Sequence, residues 1–252
     1  MSLREIGKSR RRRRILDAAR GRIESGGAEN FSIKGVADSA QVSVATLYNL
    51  FGSKEGILIA LLTESIGHFE KQLDELDVAR PIDRIGVIAQ LAIEEFTSEE
   101  HFYRTLLGLI ERMDSRAQLM GVIRRCVDLG HESIRSAVRT GEIQAVVEPR
   151  VLAHQIFMGF VHALRTWSSG LSSSDLFEAQ VAHFRTLMLA GVANEPLRSQ
   201  LHDQLRALDA SMLELVDLGS DLSDPERKAG YRMTPSENPT TNSTTNSKGA
   251  NP

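Results

Sequence analysis

Residues Ser43, Val44, Ala45, Thr46, Tyr48 and Asn49 make a short run of hydroxyl, amide and small apolar side chains, with Leu47 and Phe51 set four apart among them. Positions i and i+4 of a helix share one face, so Leu47 and Phe51 can anchor an underside while the others point away from it. The outward set suits the major groove of DNA. Val44, Ala45 and the Thr46 methyl match thymine methyl groups, and the Asn49 amide can bond a base edge. The hydroxyls of Ser43 and Tyr48, with Lys54 and the helix-capping Ser32, suit phosphate contacts, which fix register rather than sequence. Upstream stand Arg10, Arg11, Arg12, Arg13 and Arg14 in succession. Nine cations against Glu5 and Asp17 give residues 1–22 a net charge of +7, leaving −10 for the remainder of a chain whose total is −3. Such an asymmetry turns a basic end toward a polyanion and holds an acidic body off it. An arginine run is also the mark of a solvated tail, and charge alone does not separate the two.

Other chemistries find less support. The chain lacks a phosphate-binding Walker loop, a dinucleotide fingerprint, a Gly-x-Ser-x-Gly elbow and a His-Glu-x-x-His motif, so an enzyme is not expected. Its seven histidines are dispersed; His154 and His162 fall on one predicted helix without an acidic or cysteine partner at metal spacing, and neither a metal nor another cofactor is expected. The single cysteine, Cys126, cannot form an intramolecular disulfide and reads as a small buried apolar residue of a reducing cytoplasm. Apolar runs such as Ile57 to Leu62 are far too short to cross a bilayer. The basic N-terminus leads into Ile15-Leu16-Asp17-Ala18-Ala19 rather than a secretory h-region. A cytoplasmic location and no membrane partner are therefore expected.

The elements that position these residues are helices, because period-3.6 patterns recur and sustained period-2 runs of β-branched residues do not. The fold class is all-α. A first helix is expected from about Lys8 to Ser25, stopped by Gly26-Gly27. Ser32 can cap a second short helix through Ala40, Ser43 a third through about Phe51, and Ser53 a fourth running to about Leu76. Beyond Pro81 come amphipathic helices of a second module, one of them opened by Glu148-Pro149 and apolar nearly all round from Ile156 to Leu164. Asp175 and Glu178 stand at capping-box spacing for the next. From Pro196, Leu201, Leu205, Leu208, Met212 and Leu215 alternate four and three apart as a narrow packing seam. The division expected is a basic arm and helix-turn-helix over 1–55, a connecting helix over 56–80, a helical body over 81–223, and a disordered tail over 224–252, where Pro, Thr, Asn and Ser replace any apolar period.

Over Arg14 to Leu58 the sequence resembles the tetracycline-repressor (TetR) family of bacterial regulators. Ile15-Leu16-Asp17-Ala18-Ala19 is similar to that family's first-helix signature, Ser32 with Val36-Ala37 to the start of its second helix, and Val42-Ser43, Thr46-Leu47-Tyr48 and Phe51 to its recognition helix, followed by Ser53-Lys54-Glu55. The departures are Gln41 where the family usually has Gly, Val44 at an often polar position, and Asn49-Leu50 where His and an aromatic are frequent. The resemblance implies an N-terminal three-helix helix-turn-helix domain and a C-terminal helical domain that binds an effector and dimerises. It further implies double-stranded DNA, a second copy of the chain and a small molecule as partners, and repression as the habitual outcome.

On that expectation Arg10 to Arg13 become an arm that orders on DNA. Phe102, Tyr103, Leu106, Met113, Met120, His131, Phe157, Phe160 and Trp167 are candidates to line an effector pocket, with Arg104, His154 or Arg165 also placed to orient a largely apolar ligand. Phe160, Leu164, Phe177, Val181, Phe184 and Met188 are candidates for the dimer interface. A helical adaptor that binds only protein is the alternative; it leaves the short capped helices beside an arginine run unexplained.

Overall fold

The computed structural model describes residues 2–112 and 116–216. Met113 and the segment 224–252 lie outside the described residues. Within them are ten α-helices: α1 Leu3–Asn30, α2 Ile33–Ser39, α3 Val44–Phe51, α4 Lys54–Glu75, α5 Pro81–Ser98, α6 Glu100–Glu111, α7 Arg116–Arg139, α8 Pro149–Ser168, α9 Ser174–Ala190 and α10 Leu197–Val216. The β pairing among them is an isolated bridge between Ile143 and Ala193. It ties the α7–α8 connection to the α9–α10 connection, with Gln144 donating to the Val192 carbonyl at 2.8 Å and Asn194 to the Glu142 carbonyl at 2.9 Å.

Hydroxyl caps set the boundaries of the N-terminal helices. Ser32, Ser43 and Ser53 accept from the backbone N–H three residues on, at Gly35, Thr46 and Gly56, satisfying donors that have no partner within the helix. The first helix differs from the sequence expectation at both ends. A capping box of Ser2 and Glu5 starts it at Leu3, so the arginine run is helical and not an extended arm. The break foreseen at Gly26-Gly27 is a kink at Gly27 (φ 63°) before Asn30. A second correction concerns α9. Ser173 caps it by accepting from Leu176 N at 3.1 Å, in place of the Asp175–Glu178 pair, because its β-region backbone (φ −71°, ψ 168°) already brings its hydroxyl to an unpaired N–H.

Two apolar cores run through the molecule. The larger joins Ile15, Ala19 and Ile23 of α1, Val36 and Leu47 of the short helices and Ile57 to Leu62 of α4 to Phe96, Phe102, Tyr103, Trp167 and Phe177. The smaller, at the far end, gathers Ile82, Ile85, Ile134, Leu152, Leu189 and Leu201 from α5, α7, α8, α9 and α10. Helix α4 belongs to both the N-terminal bundle and the body. Leu201 is buried where α10 lies against α9, Leu205, Leu208 and Met212 are half-buried, and Leu215 at the other end of the seam is exposed, so packing within one chain fades along the stripe.

Candidate nucleic-acid interface and internal cavity

Helix α3 stands on Leu47, which is 1% exposed, and presents Val44, Ala45, Tyr48 and Asn49 to solvent. Val44 and Tyr48 expose 37% and 48% of their surface. Ser43 is the cap, and its Oγ also lies 2.9 Å from the Thr46 hydroxyl. The Thr46 oxygen is thus engaged in the cap, which leaves its methyl as the part available outward. Ser32 is exposed at the start of α2.

The turn between α2 and α3 carries the irregular backbone that the absence of glycine foreshadowed. Gln41 has φ 52°, a left-handed conformation that costs a non-glycine residue roughly 1–2 kcal/mol. Gln41 N–H donates to the Asp38 carbonyl and Val42 N–H to the Ala37 carbonyl. Arg14 Nη2 donates to the Gln41 carbonyl from α1 at 3.3 Å. At the other end of α3, Gly56 permits a close crossing: a Cβ there would sit 2.0 Å from the Phe51 carbonyl oxygen.

The arginine run divides by helical face. Arg12, one turn before Ile15 and Leu16, reaches α3, donating to the Leu50 carbonyl at 3.3 Å and placing its guanidinium 4.4 Å from the Phe51 ring centroid. It therefore braces the short helix. Arg10, Arg11 and Arg13 are exposed. Lys54 is half-buried with its ammonium 5.1 Å from the Phe31 ring centroid, a cation–π contact that fixes the start of α4.

Bundle and body meet where α1 packs on α6. Arg20 pairs with Glu99 and lies 4.0 Å over the Phe102 ring. Beside it, Tyr103 donates to Glu95 and sits 2.8 Å from Ser65 Oγ of α4. Burial first, and Glu95 second, hold the phenol well above its ordinary pKa, so it remains a donor and links α4, α5 and α6.

Within the body lies a cavity of about 260 Å³, walled by Leu62, Ile66 and Phe69 of α4, Ile85, Ile88, Ala89, Ala92 and Phe96 of α5, Leu119, Val122, Ile123, Cys126 and Leu129 of α7, Ile156, Phe157, Phe160, Val161 and Leu164 of α8, and Val181 and Arg185 of α9. Phe157 and Phe160 stand in this wall as anticipated. Phe102, Tyr103, Leu106 and Trp167 do not; they are at most 2% exposed and fill the core, where Trp167 stacks on Phe177 at 5.5 Å and its indole N–H donates to Ser174. Met120 is 60% exposed and His131 lies off the wall. Arg104 bonds the Trp167 and Ser172 carbonyls, Arg165 pairs with Glu111, and His154 is exposed, so none of the three turns into the cavity. The α4, α5 and α7 residues and Arg185 are wall members that were not among the pocket candidates, since a helical stripe marks what is buried and not what borders a void.

Most of the residues expected at an interface are also occupied internally. Phe177 and Val181 are buried, Phe160 and Leu164 border the cavity, and Met188 packs on the smaller core. Phe184 is half-buried and lies over Gly159, where a Cβ would be 2.0 Å from its ring. The outer faces of α8 and α9 instead expose Val151, Met158 and Leu187, around a shallow hollow that includes Gln155, His162, Gln180 and Met212.

Among the described residues no helix is long and apolar enough to cross a membrane. Residues 15–61 match the sequence family described as "Bacterial regulatory proteins, tetR family". The chain is 23% identical over 186 residues to the fatty acid metabolism regulator protein of Bacillus subtilis, covering 72% of this chain and 95% of that one. It is 39% identical over 78 residues to the HTH-type transcriptional repressor KstR of Mycobacterium tuberculosis, 30% of this chain and 36% of that protein. Among solved structures, FadR from Bacillus subtilis in complex with stearoyl-CoA superposes with a TM-score of 0.58 at 20% identity, covering 71% of this chain and 98% of that one. SmeT, the repressor of the Stenotrophomonas maltophilia multidrug efflux pump SmeDEF, does so at 0.56 and 17%, covering 74% and 92%.

Proposed function

We propose, from the match of residues 15–61 to the tetR family of bacterial regulatory proteins, that the chain is a dimeric repressor which binds a palindromic operator and is released by a largely apolar small molecule. The observation that carries this reading is α3: a two-turn helix capped by Ser43 and held by Leu47 and Arg12, with Val44, Ala45, Tyr48 and Asn49 outward. In the major groove, Val44, Ala45 and the Thr46 methyl meet base methyls and Asn49 a base edge, while Ser32, Ser43, Tyr48 and Lys54 lie toward phosphates. Arg10, Arg11 and Arg13 extend the phosphate-facing surface from α1.

One such helix reads too few base pairs for useful specificity, which favours a two-fold dimer with half-sites about 34–36 Å apart. The exposed apolar face of α8 and α9, centred on Val151, Met158, Phe184 and Leu187, is the surface for it. The cavity is the effector site. Its floor is α4, whose first residues pack against α3, so an occupant that shifts Leu62, Ile66 and Phe69 moves the reading helix. Such a ligand acts by preferring the geometry in which the two α3 helices are misplaced. The similarity to FadR, solved with stearoyl-CoA, is in keeping with an apolar effector.

Selection of bound sites from random DNA tests the proposal. Enrichment of a palindrome, lost on Tyr48→Ala with Asn49→Ala while the dimer persists in sedimentation, is the expected result. No enriched palindrome, or an unchanged selection with the double variant, refutes it. Replacing Arg10, Arg11 and Arg13 with Ala should flatten log K against log[salt] by up to about 3 units, near 0.9 for each phosphate left without its cation.

A further inference from the structure

Arg185 is the one charged side chain among the described residues that line the cavity, and its situation is unlike that of the other semi-buried arginines. Arg80 holds Glu142, Arg125 holds Glu70, and Arg104 holds Glu100 and two carbonyls. Arg185 makes no hydrogen bond or ion pair with the described residues. Its guanidinium rests on Gly86 of α5, where the position of a Cβ would be 3.5 Å from Nη1 and 3.6 Å from Cζ. Burial pushes its pKa below the ordinary arginine value, and no acid opposes that shift. A desolvated cation left without a partner is costly, and cavity-forming side chains such as Ile85 and Val181 offer it none.

The same residue also borders a cleft of mixed character between α5, α9 and α10, where Gly86, Asp83, Gln90 and Gln200 stand beside Ile82 and Leu197. Arg185 thus stands at the junction of the apolar chamber and this second cleft. Cys126, the other wall residue able to ionise, has its thiol pushed up to about 12 by burial and adds no charge. We infer that the ligand of this cavity is an anionic amphiphile, its apolar body among Phe69, Phe96, Phe157 and Phe160 and its head on Arg185. The guanidinium fork accepts a planar carboxylate in two parallel hydrogen bonds and takes a phosphate monoester by the same donors. The inference rests on the cavity being the effector site.

Titration calorimetry on the full chain, with dodecanoate, dodecyl phosphate and dodecanol below their micelle concentrations, tests it. Dodecanoate or dodecyl phosphate should bind at least about tenfold more tightly than dodecanol, as charge-assisted hydrogen bonds require, and whichever is tighter identifies the head. Arg185→Gln should abolish that preference without weakening dodecanol, and Arg185→Lys should keep part of it. Without ligand, Arg185→Gln should raise the unfolding temperature, since it removes an unpaired charge; a residue serving only the fold would lower it. The bound probe should slow alkylation of Cys126 in the cavity wall. Equal binding of alcohol and anion, or a preference that survives Arg185→Gln, overturns the role of Arg185 and leaves the apolar effector site standing. Absence of binding by all three probes, or binding that leaves Cys126 unprotected, overturns the effector site and the inference with it.

Discussion

The N-terminal bundle and the helical body bury apolar residues of the same kinds to opposite ends. In the bundle Ile15, Ala19, Ile23, Val36, Leu47, Ile57 and Leu58 are each at most 1% exposed, and their contacts join helices close in sequence. In the body, α4, α5, α7, α8 and α9 surround a chamber of about 260 Å³, and Ile88, Ala89, Phe157 and Phe160 on its wall are only half-buried. A helix that reads DNA must hold side-chain positions to a fraction of an ångström, which dense packing provides. A helix bundle that answers a ligand needs room and the ability to move, which a chamber supplies.

The comparison is most exposed to Leu47→Ala. That truncation beneath α3 should cost about 2–5 kcal/mol, seen as a lower unfolding temperature and loss of DNA binding. A change under about 1 kcal/mol would mean that the bundle is not the rigid partner. Added volume gives the next contrast. Ala37→Leu in the bundle should destabilise by about 1–3 kcal/mol through overpacking, whereas Ala89→Leu beside the chamber should change stability by less than about 1 kcal/mol and weaken effector binding. Equal penalties would erase the distinction.

Smaller still is Gln41→Gly. Relief of the left-handed backbone, partly offset by greater freedom of the unfolded chain, should raise stability by up to about 1 kcal/mol, measurable by denaturant unfolding. The least effect on stability and the finest probe of the chamber is Cys126. With its thiol pushed up to about 12, roughly one molecule in ten thousand is thiolate at pH 8. Alkylation at that pH should be far slower than for an exposed cysteine and should rise with pH toward 12; a rate matching free cysteine would show that the chamber opens to solvent.

The bundle was largely legible in the chain itself. Ser32, Ser43 and Ser53 cap as their spacing foretold, Leu47 lies beneath α3, and Gln41 sits in the one positive-φ turn of a non-glycine residue among the described residues. Each depends on neighbours within a few residues, and capping, helical period and backbone handedness act at that range. The arginines are the exception to that short range. Whether Arg12 points to solvent or to Phe51 depends on how α3 crosses α1, and the run looks uniform when read as charge.

In the body, local pattern placed Phe102, Phe177 and Val181 on buried stripes but did not fix what they touch. Large aromatics looked like the lining of a pocket; Phe157 and Phe160 do border the chamber, but Phe102, Tyr103 and Trp167 fill space, and Ile85, Ala89, Ala92 and Cys126 from helices apart in the chain complete the wall. The surface left open on α8 and α9 was fixed in the same way, after Phe160, Leu164 and Val181 had turned inward. The sequence by itself thus determined the all-helical class, the caps of α2, α3 and α4 and the candidate DNA-reading strip. Only the tertiary structure decided which buried faces enclose a void and that Arg185 stands at its edge without a partner among the described residues, because voids and missing partners are properties of several helices at once and no single period encodes them.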